Sequence, residues 1–245
     1  MLIIAGEALV DLVIGTDESV EAALGGAPYN TARAAARLGV DVRFIGCLST
    51  DRFGERLAAQ LRADGVHTDS APRTELPTTL AAAEIGSSGS ATYRFYLERT
   101  SAPALGADPL LAALERARDS RSSDVSSARS DIFFTGGLGL VLEPMADSIA
   151  AAAARLGDDM LFVVDVICRP SVIADRARYL ERLRSVLHRV DVVKASDEDL
   201  DYLFPGADPA DAVAAVLDGG ARSVVVTAGA EPTLVADRTG SIEVP

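Results

Sequence analysis

Two adjacent glycines, Gly25 and Gly26, stand directly before a helix-forming stretch and form the most suggestive site for chemistry in the sequence. A glycine has no Cβ, so a ligand can come close to the main chain there. Pro28 suits the first helical turn, and the amide of Asn30 in that turn can both donate and accept hydrogen bonds. We predict a cradle for a neutral polyhydroxyl molecule at this helix start; a purely structural glycine loop is the alternative.

Four polar residues come at or just beyond the ends of predicted strands. They are Asp11, Asp165, Ser196 and Thr227. In open α/β sheets, ligands bind outside the carboxyl ends of the strands. The first strand is followed by GEALVD and not by GxGxxG, which argues against a dinucleotide fold and a dehydrogenase. We therefore predict one polar rim that is not a dinucleotide site.

Composition excludes several classes of protein. Hydrophobic residues make up 49 % of the 245 residues, enough for a buried core. The net charge of −13 argues against a nucleic-acid surface, and Lys194 is the only lysine. Cys47 and Cys168 have no metal-binding spacing, and neither a signal peptide nor a membrane-length apolar run is visible. We expect a cytoplasmic protein without nucleic-acid or membrane partners.

The elements that must position the polar rim alternate between strand and helix. Strands are predicted at 2–5, 40–48, 132–135, 160–165, 190–194 and 223–227, and helices at 51–63, 109–118, 144–156, 179–188 and 209–217, with a terminal hairpin at 233–236 and 242–244. This alternation predicts an α/β fold: a mostly parallel central sheet with helices on both faces.

The stretch 78–98 departs from that alternation. Its period-two pattern on either side of the small polar segment 87–90 predicts a β-hairpin, which we interpret as a flap. An edge hairpin without a functional role is the alternative. Residues 119–130 are rich in serine and poor in apolar residues, which is typical of a surface loop.

The segment GGAPYNTARAAARLGVDVRFIGCLSTDRFGERL resembles the N-terminal signature of the ribokinase-like (PfkB) carbohydrate kinases. The resemblance continues through the flap, DVICRP and VVKASDED to VVVTAGAE, and so covers the chain 1–245 in order. It implies one α/β domain with β-lid excursions around 12–20 and 78–98, which transfers the γ-phosphate of ATP to a sugar hydroxyl with Mg²⁺. Lid pairing in the family makes a homodimer an expectation.

The resemblance also implies individual site residues. Asp11, Gly25, Gly26 and Asn30 match sugar-binding positions, and Tyr96 and Glu98 on the lid are candidates to line the sugar. Arg169 matches the arginine of the family's DPNxRP stretch, where it would bind an acidic sugar end or the transferred phosphate; a surface salt bridge is the alternative. Lys194, Ser196, Thr227 and Gly229 match the nucleotide site, and Asp199 the magnesium-ordering acid.

The sequence departs from the family pattern at several of these positions. Ile167 stands where the family has asparagine, Ser196 and Asp199 replace the Asn and Glu of NxxE, and Pro232 replaces a glycine near the nucleotide. The GAGD segment, whose aspartate acts as the catalytic base in the family, does not occur in the 245 residues. We therefore expect a C-terminally incomplete kinase domain that is inactive by itself.

Two classes of function follow from these observations. The first is an ATP-dependent sugar kinase of the fructose or 2-keto-3-deoxygluconate class, with a sugar and a nucleotide as its small-molecule partners. GGAPYN lacks the lysine of ribose-specific members, and YRFYLERTSAP is similar to fructokinase-like members. The second is a non-catalytic sugar-binding or regulatory protein derived from such a kinase, which the substitutions at Ile167, Ser196 and Pro232 would permit.

Overall fold

The computed structural model describes residues 1–86, 91–119 and 131–245. The predicted turn at 87–90 and residues 120–130 of the predicted surface loop lie outside the described residues. Fourteen strands occur in the described ranges, in chain order β1 Leu2–Ala5, β2 Leu9–Ile14, β3 Val20–Gly25, β4 Val42–Ile45, β5 Leu48–Ser49, β6 Arg73–Thr74, β7 Leu80–Ile85, β8 Ala91–Tyr96, β9 Asp131–Gly136, β10 Met160–Val166, β11 Val192–Ser196, β12 Ser223–Ala228, β13 Glu231–Asp237 and β14 Gly240–Val244.

The same ranges contain seven α-helices. These are α1 Ala27–Arg37, α2 Arg52–Ala63, α3 Ala107–Asp119, α4 Met145–Ala153, α5 Arg176–Leu187, α6 Asp197–Leu203 and α7 Pro209–Asp218. None of the helices in the part of the chain that the structure describes combines the length and the apolar character needed to cross a bilayer.

The central sheet has eight strands in the order β14-β13-β12-β11-β10-β9-β1-β4, and the six from β12 to β4 are parallel. The last hairpin, β13–β14, pairs antiparallel at one edge, as the sequence predicts. Short runs rich in β-branched residues form inner strands such as β12, in which Val224 and Val226 are buried and Val225 is partly buried, as is typical of parallel sheets covered on both faces.

Helices cover both faces of this sheet. Ile3 and Ile4 are neighbours on β1 and therefore point to opposite faces, and both are fully buried. Ile3 belongs to a core that includes Leu110 and Ile149 of α3 and α4, whereas Ile4 belongs to a separate core with Leu57 of α2. The prediction of an α/β fold with a mostly parallel sheet and helices on both faces is confirmed.

A second sheet, the lid, has four strands in the order β3-β2-β7-β8. It comes from two excursions, 9–25 and 80–96, so the first is longer than the predicted 12–20. Strand β2 pairs antiparallel with β3 and parallel with β7, and β7 pairs antiparallel with β8. The period-two pattern predicted only the second pair as a hairpin; the pairing of β2 with β7 joins segments about 70 residues apart, which a local pattern does not contain.

The structure corrects one predicted element and adds two that were not predicted. The predicted strand 40–48 is two strands, because the chain leaves the central sheet after Ile45 and β5 pairs with β6 in a separate small sheet. Helix α6 was not predicted, since its seven residues are too few to show a helical period. The segment Gly137–Leu140, which follows β9, is a 3-10 turn with all four residues buried.

Candidate active site

A cavity of about 180 Å³ lies between the lid and the carboxyl edge of the central sheet. It is smaller than the roughly 300–1,000 Å³ of pockets for drug-sized ligands, which suits a small polyol. Its walls come from β2 and β8 of the lid, the start of α1, the turn after β9 and the loop after β10. The lining residues are Glu7, Leu9, Asp11, Gly26, Ala27, Tyr93, Phe95, Gly137, Leu138, Ile167 and Arg169.

Asp11 is the carboxylate that faces the cavity from the lid. The sequence analysis placed it just beyond a central strand, which is wrong: it lies within β2, opposite Ala23 of β3 and Ala81 of β7. Burial raises the pKa of Asp11 above its usual 3.8. Gly25 packs against this side chain so closely that a Cβ at Gly25 would collide with Oδ2. The first of the two glycines therefore serves to make room for the carboxylate.

The second glycine, Gly26, caps α1 and lines the cavity. Its φ of 110° is a backbone angle that glycine adopts readily and other residues rarely do. A Cβ at this position would also lie 2.7 Å from the carbonyl oxygen of Glu7. Pro28 lies in the first turn of α1, as predicted. Asn30 is exposed on α1 one turn further on and is not among the residues that line the cavity, so its predicted contact with a sugar stays a prediction.

The lid strand β8 presents two aromatic rings to the cavity, Tyr93 and Phe95, which stack with centroids 6.2 Å apart. Phe95 lies in one row with Ala81 and Asp11 across three strands, so Phe95 and Asp11 share a face of the lid. Tyr96 is the next residue and therefore points to the opposite face. Tyr96 is not among the residues that line the cavity, so its predicted contact with a sugar stays a prediction.

Glu98, the other lid residue predicted to line the sugar, comes after the end of β8. It is exposed and does not belong to the cavity wall. The cavity wall on this side is therefore aromatic and carries no carboxylate from β8. Flat rings of this kind can pack against the apolar face of a sugar ring while its hydroxyls reach polar groups elsewhere.

Arg169 contributes the positive charge of the cavity. It follows β10, and its Nη1 donates to the carbonyl oxygen of Cys168 at 3.4 Å. Among the residues that the structure describes, no carboxylate forms a salt bridge with it, so the surface salt bridge considered from the sequence has no support here. Ile167, which replaces the family's asparagine, also lines the cavity and gives this part of the wall an apolar side chain.

Three of the four predicted rim residues lie side by side at the carboxyl edge of the central sheet. Asp165 of β10 pairs in register with Lys194 of β11, and Ser196 of β11 with Thr227 of β12. Nζ of Lys194 lies 3.1 Å from Oδ1 of Asp165. Burial raises the pKa of Asp165, an effect that Lys194 opposes. Gly229 follows this edge with a φ of 58° and open space around its Cα.

Asp199 lies beside this row, but its carboxylate is buried and already bonded to the protein. Oδ1 accepts from the backbone N–H of Cys168 at 2.6 Å, and Oδ2 accepts from the backbone N–H and the hydroxyl of Ser196 at 2.9 and 2.7 Å. The Ser196 hydroxyl in turn accepts from the Asp199 N–H, which completes a capping box at the start of α6. A direct metal contact at Asp199 would have to replace one of these bonds.

Comparison with known proteins decides the family. The chain matches the profile of the pfkB family carbohydrate kinases over residues 1–245. The chain belongs to the PfkB family of carbohydrate kinases.

Individual relatives of this carbohydrate kinase agree with that placement. It is 30 % identical over 236 residues to a fructokinase from Rhizobium leguminosarum bv. trifolii, an alignment that covers 94 % of the chain and 68 % of the relative. It superposes on a fructokinase from Xylella fastidiosa with bound ATP at a TM-score of 0.84 and 28 % identity, covering 100 % of the chain and 77 % of that protein. An aminoimidazole riboside kinase from Salmonella enterica shares the fold at a TM-score of 0.83 and 20 % identity.

Sequence reasoning missed several residues that line the kinase cavity, among them Glu7, Tyr93 and Phe95. Tyr93 and Phe95 alternate with the exposed Arg94 on β8, but Phe95 is aligned with Asp11 of β2 only through Ala81 of β7, a pairing that the local pattern does not contain. Glu7 was visible as an acidic residue inside an otherwise apolar N-terminal run, yet it was used only to exclude a signal peptide. A charged residue in such a run is rarely buried unless it has a specific partner.

Proposed function

We propose that this chain binds fructose in the lid cavity and that, in the active kinase, a hydroxyl of the sugar receives the γ-phosphoryl group of ATP. The observation that carries this proposal is the position of Asp11, which is half-buried on the lid face opposite the glycine start of α1. The fructokinases among the relatives give the proposal its substrate.

Each wall of the cavity would have its own part in binding. Asp11 is an acceptor for sugar hydroxyls, and bonds to an ionised acceptor are about twice as strong as neutral ones. Tyr93 and Phe95 are placed to cover the ring, while the backbone of Gly26 and Ala27 permits close approach of the sugar. Because the lid sheet provides both Asp11 and the aromatic rings, one movement of the lid would engage both groups and exclude water.

ATP and Mg²⁺ would bind along the carboxyl edge next to this cavity. Lys194, Thr227 and Gly229 would hold the nucleotide, since a lysine suits phosphate oxygens and an open glycine backbone permits close approach. In the described residues no group of three acidic, His or Cys side chains could hold a metal directly. That donor set fits Mg²⁺ held mostly by water and phosphates, with Asp199 acting through Ser196 and the start of α6.

A second candidate substrate is an acidic sugar of the 2-keto-3-deoxygluconate class. Arg169 favours it, because its guanidinium faces the cavity and could bind a carboxylate with two parallel hydrogen bonds. The same group could instead stabilise the phosphoryl group in transfer. A neutral sugar therefore uses Arg169 only during catalysis, whereas an acidic sugar uses it for binding.

Calorimetric titration of the 245-residue chain with fructose, 2-keto-3-deoxygluconate and ribose tests the proposal. We expect fructose to bind, Asp11→Asn to weaken it by about tenfold or more, and Arg169→Gln to leave it unchanged. Exposed Glu21 on β3 provides a matched control as Glu21→Gln. Tighter binding of the acidic sugar, lost in Arg169→Gln, would support the second candidate, and no binding of any of the three would refute the cavity assignment.

Turnover is a separate test. We propose that residues 1–245 alone bind sugar without phosphorylating it, because the sequence contains no GAGD segment to supply a base. An ATP-consumption assay with fructose tests this proposal. Steady ATP consumption by residues 1–245 would contradict it. A longer natural chain that also binds fructose and consumes no ATP would support the alternative of a non-catalytic sugar-binding protein.

A further inference from the structure

Glu7 is a buried carboxyl group that lies between the two glycine segments of the cavity. It is 2 % exposed and follows the end of β1. Oε1 accepts a hydrogen bond from the backbone N–H of Ala27, the first residue of α1, at 3.0 Å. On the other side, Gly137 approaches so closely that a Cβ there would lie 2.5 Å from the same oxygen, and the φ of Gly137 is 58°.

The second carboxyl oxygen of Glu7 is unusual. Oε2 is buried and has no hydrogen-bond partner among the residues that the structure describes. A buried polar atom without a partner costs about 1–3 kcal/mol, so its presence requires a reason. Glu7 is also one of the residues that line the cavity, so the unpaired oxygen belongs to a side chain of the site.

We propose that Glu7 is a positioning residue of the sugar cavity, which fixes the start of α1 against the turn after β9. This inference rests on the proposed function, because it assumes that the cavity holds the sugar. Gly26 and Ala27 come from one segment and Gly137 and Leu138 from the other, and Glu7 is the side chain that lies between them. The separation of these segments sets the width of the cavity.

The neutral acid is the form that suits this position. Burial raises the pKa of Glu7 to about 8, although the neighbouring backbone N–H groups, among them that of Ala27, which donates to Oε1, lower it in part. The segments packed against Glu7, at Ala27 and at Gly137 to Gly139, carry no charged side chain. Elsewhere in the cavity the ionisable and charged groups are Asp11 and Tyr93 on the lid and Arg169 after β10. Oε1 accepts from Ala27, so the proton belongs on Oε2.

Two variants distinguish a positioning role of Glu7, through its hydrogen bonds, from a role that only fills space. Glu7→Gln keeps the size, the acceptor for Ala27 and a donor in place of Oε2–H, whereas Glu7→Ala removes all three. We expect Glu7→Gln to bind fructose within about threefold of the wild type and Glu7→Ala to bind on the order of tenfold or more weakly. Amide exchange at Ala27 and Leu138, followed by NMR, should accelerate in Glu7→Ala and stay slow in Glu7→Gln.

The pH dependence of fructose affinity provides a second readout, because a side chain that only fills space would not affect it. Fructose affinity of the wild type should fall above about pH 8, where Glu7 ionises, and the affinity of Glu7→Gln should not show that fall. Asp191→Asn is the matched control, because Asp191 is a buried carboxylate at the amino end of β11, on the opposite edge of the sheet. It should reduce stability without accelerating exchange at Ala27.

The inference is overturned if Glu7→Ala matches the wild type in fructose affinity and in exchange at both amides. It is also overturned if Glu7→Gln loses as much fructose affinity as Glu7→Ala, since the site would then require an ionised carboxylate and not the neutral acid. If the wild type binds no fructose, the proposed function fails, and the two exchange rates still decide whether Glu7 holds the two segments together.

Discussion

The buried acid Glu7 makes the stability of this protein depend on pH in a way that one substitution should remove. The pKa of a free glutamate is 4.5, and burial raises that of Glu7 to about 8 in the folded chain. The folded state therefore holds a proton that the unfolded chain releases over this range. The stabilisation is complete below pH 4.5 and is lost as the pH rises through 8.

The size of the effect follows from the difference between the two pKa values. Each pKa unit corresponds to about 1.4 kcal/mol, so Glu7 should account for a fall of about 4 kcal/mol in unfolding free energy between pH 5 and pH 8. Glu7 is fully buried, so solvent screening does not reduce this figure. Glu7→Gln cannot ionise, and its advantage over the wild type should grow by that amount across the window.

Urea unfolding of both proteins at half-unit pH steps from 5 to 8 measures this difference. Other titrating groups are common to the two proteins and cancel in the comparison. The pKa of Asp64, for example, lies below its usual 3.8 because its side chain accepts a hydrogen bond from Arg33, and so it titrates outside the window. Glu21→Gln changes an exposed carboxyl on β3 and should follow the wild type. Parallel profiles for Glu7→Gln and the wild type would refute the reasoning.

Three further substitutions test the geometry of the lid and the carboxyl edge. Tyr93→Ala should weaken fructose binding by about five- to tenfold in calorimetry, whereas Tyr96→Ala, on the opposite face of the strand, should not; equal losses would contradict the register. Gly25→Ala should abolish fructose binding and cost about 1–3 kcal/mol of stability, because its Cβ would displace the carboxylate of Asp11; unchanged calorimetry and urea unfolding would argue against that contact. Asp199→Ala should cost about 2 kcal/mol in urea unfolding, since it removes one half of the capping box of α6 and the acceptor of the Cys168 N–H, and no measurable loss would show these bonds to be dispensable.

The alternation of apolar runs and helical patterns was enough to predict the central sheet. Runs such as 160–165 and 223–227 carry β-branched residues with turn signals on either side, and each can be recognised from its neighbours along the chain. The glycine start of α1 could also be predicted from the local sequence, because Gly26, Pro28 and the alanines of α1 each favour the backbone conformation that they adopt there. These predictions succeeded because the interactions behind them are short in sequence.

The lid was harder to predict, because its pairing joins distant segments. Strand β2 lies between β3 and β7, and only this arrangement puts Asp11 and Phe95 in one row. Strand β8 carries aromatic residues at three positions, and its composition does not say which face of the strand meets the cavity. Register depends on partners 70 residues away, which a local pattern does not contain.

Residue types and their spacing along the chain were sufficient to predict the sheet, its helices, the acidic net charge and the family resemblance. The tertiary structure alone decided which groups meet in the cavity. It brought Glu7 between Ala27 and Gly137 and engaged Asp199 in the cap of α6. Burial then set the protonation of Glu7, because the cost of charging a group depends on what surrounds it in space, and its neighbours in the sequence do not specify that.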